Sequence, residues 1–199
     1  MSVDTLIKGA GVVVPAEPMA RETLAASLLL PTAGTEVRWF MPGSGPHDRG
    51  RRHERLDRYD SVTLSPTRSL KRRGAKGTLE LKLRVGRVER FELNGVVGFA
   101  EQWVKRRIAE DAVGIVEDAV GDVGEWIPIR KCIWYEAGLE IGRVQIDGER
   151  DRWWTVALDP SRRLKRSTVR WLREHRGELA SGMPASFAGW IDACAHTGR

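Results

Sequence analysis

Charged and apolar side chains alternate between Gly77 and Gly86, where the chain runs Gly-Thr-Leu-Glu-Leu-Lys-Leu-Arg-Val-Gly. In an extended strand Glu80, Lys82 and Arg84 lie on one face, because successive side chains point to opposite sides. Cations on such a face could bind a multiply charged anion, with arginine contacting phosphate oxygens through a bidentate fork. The same pattern is typical of a half-exposed antiparallel strand, so the sequence leaves both interpretations open.

Other predicted strands repeat this alternation. It places further charges on shared strand faces: Glu36 with Arg38, Lys71 with Arg73, and Lys131 on a later strand. If these faces line the inside of a closed sheet, they form a site for a polyanion. If they point outwards, they are solvated. Both faces of a barrel alternate, so periodicity alone does not separate the two cases.

Length and composition narrow the class of protein. The chain has 199 residues and a formal net charge of +6. This length favours a single domain, and no apolar run reaches the ~18 residues of a membrane-spanning helix. The N-terminus has no basic region ahead of an apolar stretch, so we expect no signal peptide. Cys132 and Cys194 lack metal-ligand spacing, and we expect reduced thiols in a cytoplasmic protein.

The positive charge is unevenly distributed. Residues 44–90 hold 14 Lys and Arg against 6 Asp and Glu. A basic excess favours anionic partners such as nucleotides, polyphosphate or nucleic acid. A second basic cluster, Arg162, Arg163, Lys165 and Arg166, forms an electrostatic footprint suited to nucleic acid, although a solvated helix face has the same composition.

The common catalytic motifs are missing from the sequence. It has no dinucleotide fingerprint, no Walker loop, no Gly-x-Ser-x-Gly elbow and no His-Glu-x-x-His helix. The four histidines, His47, His53, His175 and His196, are scattered over the chain rather than clustered. The sequence therefore names no catalytic residues.

Turn residues divide the middle of the chain into seven or eight strands. We predict strands at 36–40, 56–64, 69–73, 78–92, 99–109, 125–137, 140–149 and 153–158. Most of them follow one another in hairpin order. Strands in this order predict a closed antiparallel sheet, that is, a β-barrel.

A short helix is expected over about residues 20–30, and two more helices are expected after the last strand. Apolar residues recur at helical spacing over 162–176 and again over 184–195. The predicted organisation is a loosely ordered extension over residues 1–33, a barrel domain over 34–160 and a helical pair over 161–199 packed on the barrel. The predicted fold class is α+β, with C-terminal helices beside a closed antiparallel barrel.

The order of the charged strands resembles the CYTH superfamily, also called triphosphate tunnel metalloenzymes. The resemblance is carried by Glu36-Val37-Arg38-Trp39-Phe40, Asp57-Arg58-Tyr59, Leu70-Lys71-Arg72-Arg73, Leu79-Glu80-Leu81-Lys82-Leu83-Arg84 and Lys131, and it covers roughly residues 35–160. It implies an eight-stranded tunnel in which basic residues bind a triphosphate. It also implies a row of carboxylates that holds Mg²⁺ or Mn²⁺, since hard cations take oxygen ligands and bridge phosphate oxygens.

The resemblance assigns roles by position. It implies phosphate binding by six cations: Arg38, Lys71, Arg73, Lys82, Arg84 and Lys131. It implies that Glu36 and Glu80 bind the metal or orient those cations. The corresponding activity would be metal-dependent hydrolysis of a triphosphate.

This chain departs from the family pattern at the metal site. The family opens with Glu-x-Glu-x-Lys, whereas this chain has Glu36, Arg38 and Phe40 at those positions, and the strand at 153–158 has no acid. A smaller carboxylate set binds Mg²⁺ poorly, because that ion sheds its water reluctantly. We therefore expect a phosphorylated or polyanionic ligand in the lumen, with hydrolysis degenerate. The alternatives are a nucleic-acid or polyphosphate binder that uses its basic outer surface, and an interaction scaffold.

Overall fold

The structure is a computed structural model. It describes residues 32–46, 51–75, 77–108 and 124–197. The predicted extension over residues 1–33 therefore lies almost wholly outside the described residues. Within the described part, no helix is long and apolar enough to cross a membrane.

Nine strands and three helices make up the described chain. The strands are β1 (Thr32–Pro42), β2 (His53–Asp60), β3 (Arg68–Arg73), β4 (Thr78–Leu93), β5 (Val96–Arg107), β6 (Trp126–Glu136), β7 (Leu139–Ile146), β8 (Trp153–Leu158) and β9 (Met183–Pro184). The helices are α1 (Arg166–Glu174), α2 (Arg176–Ser181) and α3 (Phe187–Thr197). The α+β prediction and the antiparallel prediction are both confirmed.

Eight of the strands form a closed ring. Their order is β5-β4-β3-β2-β6-β7-β8-β1, and β1 also pairs with β5. The first half of β1, Thr32–Glu36, pairs with β5, and the second half, Val37–Pro42, pairs with β8 on its other edge. Because β1 uses both edges, it is the strand that closes the ring.

The outer face of the ring carries one hydrophobic core. Val37, Trp39 and Met41 point outwards from β1 and are buried together with Trp171 of α1 and Leu179 of α2. The hairpin of β4 and β5 folds over the same cluster, and the Trp39 indole donates a hydrogen bond to the Val97 carbonyl oxygen at 2.7 Å. Helices α1 and α2 therefore pack against the outside of the ring.

Helix α3 packs against the inner face instead. Its residues Phe187, Trp190 and Ile191 are buried against Phe40 of β1 and Tyr59 of β2, which belong to the inward set of their strands. The rings of Phe40 and Trp190 stack with their centroids 4.8 Å apart. One end of the ring interior is thus filled by an apolar plug, and the charged side chains occupy the rest.

The sequence predicted two helices after the ring, and the structure has three. Lys165 is extended, so α1 begins at Arg166 rather than at residue 162. His175 has φ −101° and ψ 19°, which interrupts the helix between α1 and α2. Helix α3 begins after Ser186, whose hydroxyl accepts a hydrogen bond from the Gly189 amide at 3.0 Å.

The predicted strand over 56–64 is displaced in the structure. β2 begins at His53 and ends at Asp60. The Asp60 carboxylate accepts hydrogen bonds from the amides of Val62 and Thr63, at 3.4 and 3.0 Å. This side-chain turn competes with continued pairing and ends the strand.

Candidate functional site

The alternating row on β4 faces the interior of the ring. Glu80 and Lys82 are only 3% and 7% exposed. They pair in register with Lys71 and Ser69 of β3, which are also buried. A cavity of about 60 Å³ lies inside the ring and is lined by Glu36, Arg38, Arg55, Tyr59, Ser69, Lys71, Arg73, Lys82, Lys105, Lys131, Glu140 and Phe187. The strand faces that hold alternating charges are therefore turned inwards.

Arg38 lies at the centre of a network of acceptors. Its guanidinium donates to Glu36 Oε1 at 3.1 Å, to Thr155 Oγ1 at 3.3 Å and to Glu140 Oε1 at 2.7 Å. Its Cζ also lies 4.6 Å from the centroid of the Phe187 ring. Burial alone would lower the pKa of Arg38, but the two carboxylates raise it further above its ordinary value, so the guanidinium stays charged.

Glu80 lies between two cations. Its carboxylate is 2.9 Å from Lys71 Nζ and 3.4 Å from Arg73 Nη1. Burial by itself would raise the pKa of Glu80, but Lys71 and Arg73 outweigh that effect and lower it. Burial also lowers the pKa of Lys71, and Glu80 opposes that change. Both groups therefore depend on each other for their charge.

Lys131 occupies the boundary between the charged interior and the apolar plug. Its Nζ lies 2.9 Å from the Asp57 carboxylate and 2.8 Å from the Tyr59 hydroxyl, to which it donates. The same ammonium lies 3.8 Å from the centroid of the Phe187 ring. Burial would raise the pKa of Asp57, but Lys131, Lys71 and Arg55 lower it to about 2.

Lys82 and Lys105 lie directly opposite each other on β4 and β5. Two like charges at such a position destabilise the pair. Glu36 approaches Lys82 Nζ at 3.6 Å, and the ammonium lies 4.2 Å from the centroid of the Trp103 ring. Burial lowers the pKa of Lys82 to about 8, against the opposing effect of Glu36. This pair is the least compensated part of the interior.

Cations outnumber carboxylates around the cavity. Seven cations line it: Arg38, Arg55, Lys71, Arg73, Lys82, Lys105 and Lys131. Four carboxylates pair with them: Glu36, Asp57, Glu80 and Glu140. By formal charge, these seven cations and four carboxylates leave an excess of three positive charges around the cavity.

Three donors of the interior also lack an acceptor. Among the described residues, Arg73 Nε, Trp103 Nε1 and Trp190 Nε1 are buried without a hydrogen-bond partner. A buried polar group without a partner costs free energy, so each would gain from an acceptor placed in the interior. Together with the excess of cations, these donors suit an oxygen-rich anion.

Most of the cations that the sequence singled out lie around one cavity. Arg38, Lys71, Arg73, Lys82 and Lys131 line it. Arg84 lies apart, in a neighbouring pocket, where its Nη1 is 3.3 Å from Glu101 Oε1. The sequence prediction omitted several lining or pairing residues: Arg55, Asp57, Tyr59, Lys105, Glu140 and Phe187. The alternation Arg55, Asp57, Tyr59 on β2 was a usable signal for three of them.

The carboxylates of the interior do not fit a resident Mg²⁺ or Mn²⁺ ion as they are arranged. Glu36 and Glu80 are each engaged by two cations. The described residues contain no group of three or more His, Cys, Asp or Glu side chains that could hold a metal ion. A hard cation would have to displace lysine and arginine from these oxygens, so this arrangement does not support a metal-dependent step.

Comparison with known proteins adds little to this geometry. No family model matches the chain, and no curated protein matches it. Among solved structures, a conserved hypothetical protein from Pyrococcus furiosus has a TM-score of 0.43 and 16% identity, over 77% of this chain and 98% of that chain. The Mediator head module of Schizosaccharomyces pombe has a TM-score of 0.40 and 11% identity, over 84% of this chain and 90% of that chain. Scores this low carry no information on function.

Proposed function

We propose that the ring is a CYTH-like tunnel whose interior binds a phosphorylated or polyanionic small molecule. The observation that carries this proposal is the excess of three positive charges around the interior cavity. A charge removed from water without a partner is costly, whereas a bound anion offsets that cost. Phosphate oxygens would accept hydrogen bonds from Lys82 and Lys105, which repel each other in its absence.

The small size of the cavity implies that the ligand exchanges with existing ion pairs. A volume of about 60 Å³ corresponds to roughly two waters, at about 30 Å³ each. A triphosphate is larger, so its oxygens must take the places of carboxylate oxygens. Glu36, Glu80 and Glu140 hold the cations in position until the ligand arrives, and they move aside when it binds.

Binding without rapid hydrolysis is the activity that these residues favour. The cations can neutralise phosphate charge and orient the chain of phosphates. Hydrolysis would need an activated water, and the paired carboxylates offer no free base. We therefore propose a degenerate member of the tunnel class that binds a triphosphate or nucleotide and releases phosphate slowly or not at all.

Thermal unfolding with tripolyphosphate tests the proposal. The ligand should raise the melting temperature by mass action, and Lys82→Met should weaken the dissociation constant roughly tenfold or more, since a charge-assisted hydrogen bond contributes about 1.5–3 kcal/mol. Arg163→Met, an exposed cation outside the ring, is the matched control and should leave the affinity unchanged. Equal loss in both variants, or no shift in the parent protein, would contradict tunnel binding.

The basic segment that leads into the first residue of α1 supports a second candidate function. Arg162, Arg163, Lys165 and Arg166 are all exposed, and Arg162 contacts Asp159 at 3.1 Å. We propose nucleic-acid binding on this outer surface as the alternative. Affinity for single-stranded RNA should then fall steeply as the salt concentration rises. Replacing Arg163 and Arg166 together should reduce the slope of log affinity against log salt concentration by the amount that about two phosphate contacts contribute. Lys82→Met would leave such binding unchanged.

A further inference from the structure

Along one edge, β1 changes its partner strand beside Arg38. On one edge of β1, β5 pairs with Thr32–Glu36, and β9 takes up the same edge at Trp39 and Phe40. β5 leaves at this point because the hairpin of β4 and β5 bends away, with a register shift between Val85 and Glu89. Between the residues that pair with β5 and those that pair with β9, the strand pairing along this edge of β1 is therefore interrupted.

A pocket of about 260 Å³ occupies this break, and we call it the side pocket. It is lined by Glu36, Arg38, Arg84, Val88, Phe99, Glu101, Pro184, Ala185 and Ser186. Its apolar members include Phe99 and Val88, which are 45% and 40% exposed. A volume of about 150 Å³ is enough to hold benzene, so the side pocket has room for a flat ring system.

The charged residues of the side pocket connect it to the interior. Glu36 and Arg38 line both the side pocket and the interior cavity. Arg84 contacts Glu101 through Nη1, and a guanidinium has five donors, so it keeps donors for a phosphate oxygen. The side pocket is therefore charged where it meets the interior and apolar at its mouth.

Two carboxylates lie at the charged end of the side pocket, and as unpaired negative charges they would repel an anion. Glu36 and Glu101 lie opposite each other in the register of β1 and β5. Glu36 is held by Arg38 and Lys82, which neutralise it. Burial raises the pKa of Glu101 against the effect of Arg84, so this carboxyl takes a proton more readily than usual when an anion approaches.

We propose that the ligand of the tunnel is a phosphate ester carrying a flat, apolar group, and that the side pocket holds this group against Phe99 and Val88 while the phosphate lies on the interior cations. The inference rests on the proposed function, because the phosphate must bind inside the ring. It adds the class of ligand: an aryl or heteroaromatic ester rather than an inorganic polyphosphate. An exposed phenylalanine beside a cationic cavity is suited to stacking on such a ring.

Calorimetric titration with phenyl phosphate and methyl phosphate tests the inference in the full-length chain. The parent protein should bind phenyl phosphate at least fivefold more tightly than methyl phosphate. Phe99→Ala should remove that preference and leave tripolyphosphate binding intact. Val97→Ala is the matched control, since Val97 is a neighbouring exposed apolar residue of β5 that does not line the side pocket. It should keep the preference.

The outcomes separate the two proposals. The side-pocket inference would be overturned if the parent protein bound the two esters equally, or if Phe99→Ala and Val97→Ala lost the preference for phenyl phosphate equally. In that case, binding of tripolyphosphate would still uphold the tunnel. Failure of tripolyphosphate and both esters to bind would overturn the tunnel and the inference with it. Phe99 is nearly half exposed, so Phe99→Ala should retain the parent melting temperature, and that measurement excludes misfolding as the cause of any loss.

Discussion

Asp57 and Lys131 form an ion pair that is almost fully withdrawn from solvent. Their side chains are 0% and 1% exposed, and the carboxylate lies 2.9 Å from Nζ. The pair lies between the cationic cavity and the aromatic plug, with Tyr59 and Phe187 beside the ammonium. Neither charge has access to water, so the stability of each depends on the other.

Lys131→Met should therefore destabilise the fold strongly. Removing one partner of a buried pair leaves an uncompensated charge and costs about 3–5 kcal/mol of unfolding free energy. Urea denaturation would measure the loss. The double variant with Asp57→Asn should recover part of it. Arg130→Met, the exposed neighbour paired with Asp147, should cost less than about 1 kcal/mol. Equal effects of the two single variants would contradict the burial argument.

Because of Lys82, the free energy of unfolding should depend on pH in the alkaline range. Its pKa in the folded protein is about 8, below the roughly 10.4 of an unfolded chain. Between these values the unfolded state binds more protons, so the unfolding free energy rises with pH. The rise due to Lys82 is at most about 3 kcal/mol. Denaturation of the parent and Lys82→Met at pH 7.5, 9 and 10 would measure it. A parallel pH dependence in both proteins would refute the assignment.

Glu80→Gln should lower the free energy of unfolding and at the same time raise the affinity for anions. The substitution removes the negative charge shared by Lys71 and Arg73, and the free energy of unfolding should fall by about 1–3 kcal/mol. The same change frees two cations, so tripolyphosphate should bind more tightly. Titration calorimetry would show this opposition.

The control for this prediction is Glu92→Gln. Glu92 pairs with Arg90 on the exposed part of the hairpin, and its replacement should change neither quantity appreciably. A weaker affinity for tripolyphosphate in Glu80→Gln would show that Glu80 orients the cations rather than competing with the ligand for them.

The apolar plug should be as important to stability as the outer core. Trp190 is fully buried and stacks on Phe40, so Trp190→Ala should cost about 3–5 kcal/mol. Tyr135→Ala, at an exposed aromatic position, is the comparison and should cost far less. Thermal and urea denaturation would measure both. A small effect of Trp190→Ala would show that α3 is not part of the folded core.

Local patterns identified the strands, but they did not determine which face points inwards. The alternation from Leu79 to Val85 predicted that Glu80 and Lys82 share a face, and the structure bears this out. Period-two alternation is the same for both faces of a sheet. The direction is decided by ring closure through β1, which depends on strands far apart in the sequence.

Helix α3 was predictable as a helix but not as a plug. Its apolar stripe, with Phe187, Trp190 and Ile191, is compatible with packing outside or inside a ring. Its inward position follows from the apolar inner residues Phe40, Tyr59 and Ile129, which match it. The sequence did not reveal the side pocket either. The pocket lies where the partner of β1 changes from β5 to β9, and no single motif marks that point.

The position of β1 has a consequence for how the chain reaches its native state. As the first of the described strands, β1 must meet β5, β8 and β9, and it also contacts α3, so its contacts form only after the rest of the described chain is available. Contacts between segments so distant in sequence slow the rate-limiting step, because the entropy of closing long loops is lost before they form. Until then the unpaired edges of β5 and β8 stay open to other chains. Refolding yield should therefore fall as protein concentration rises.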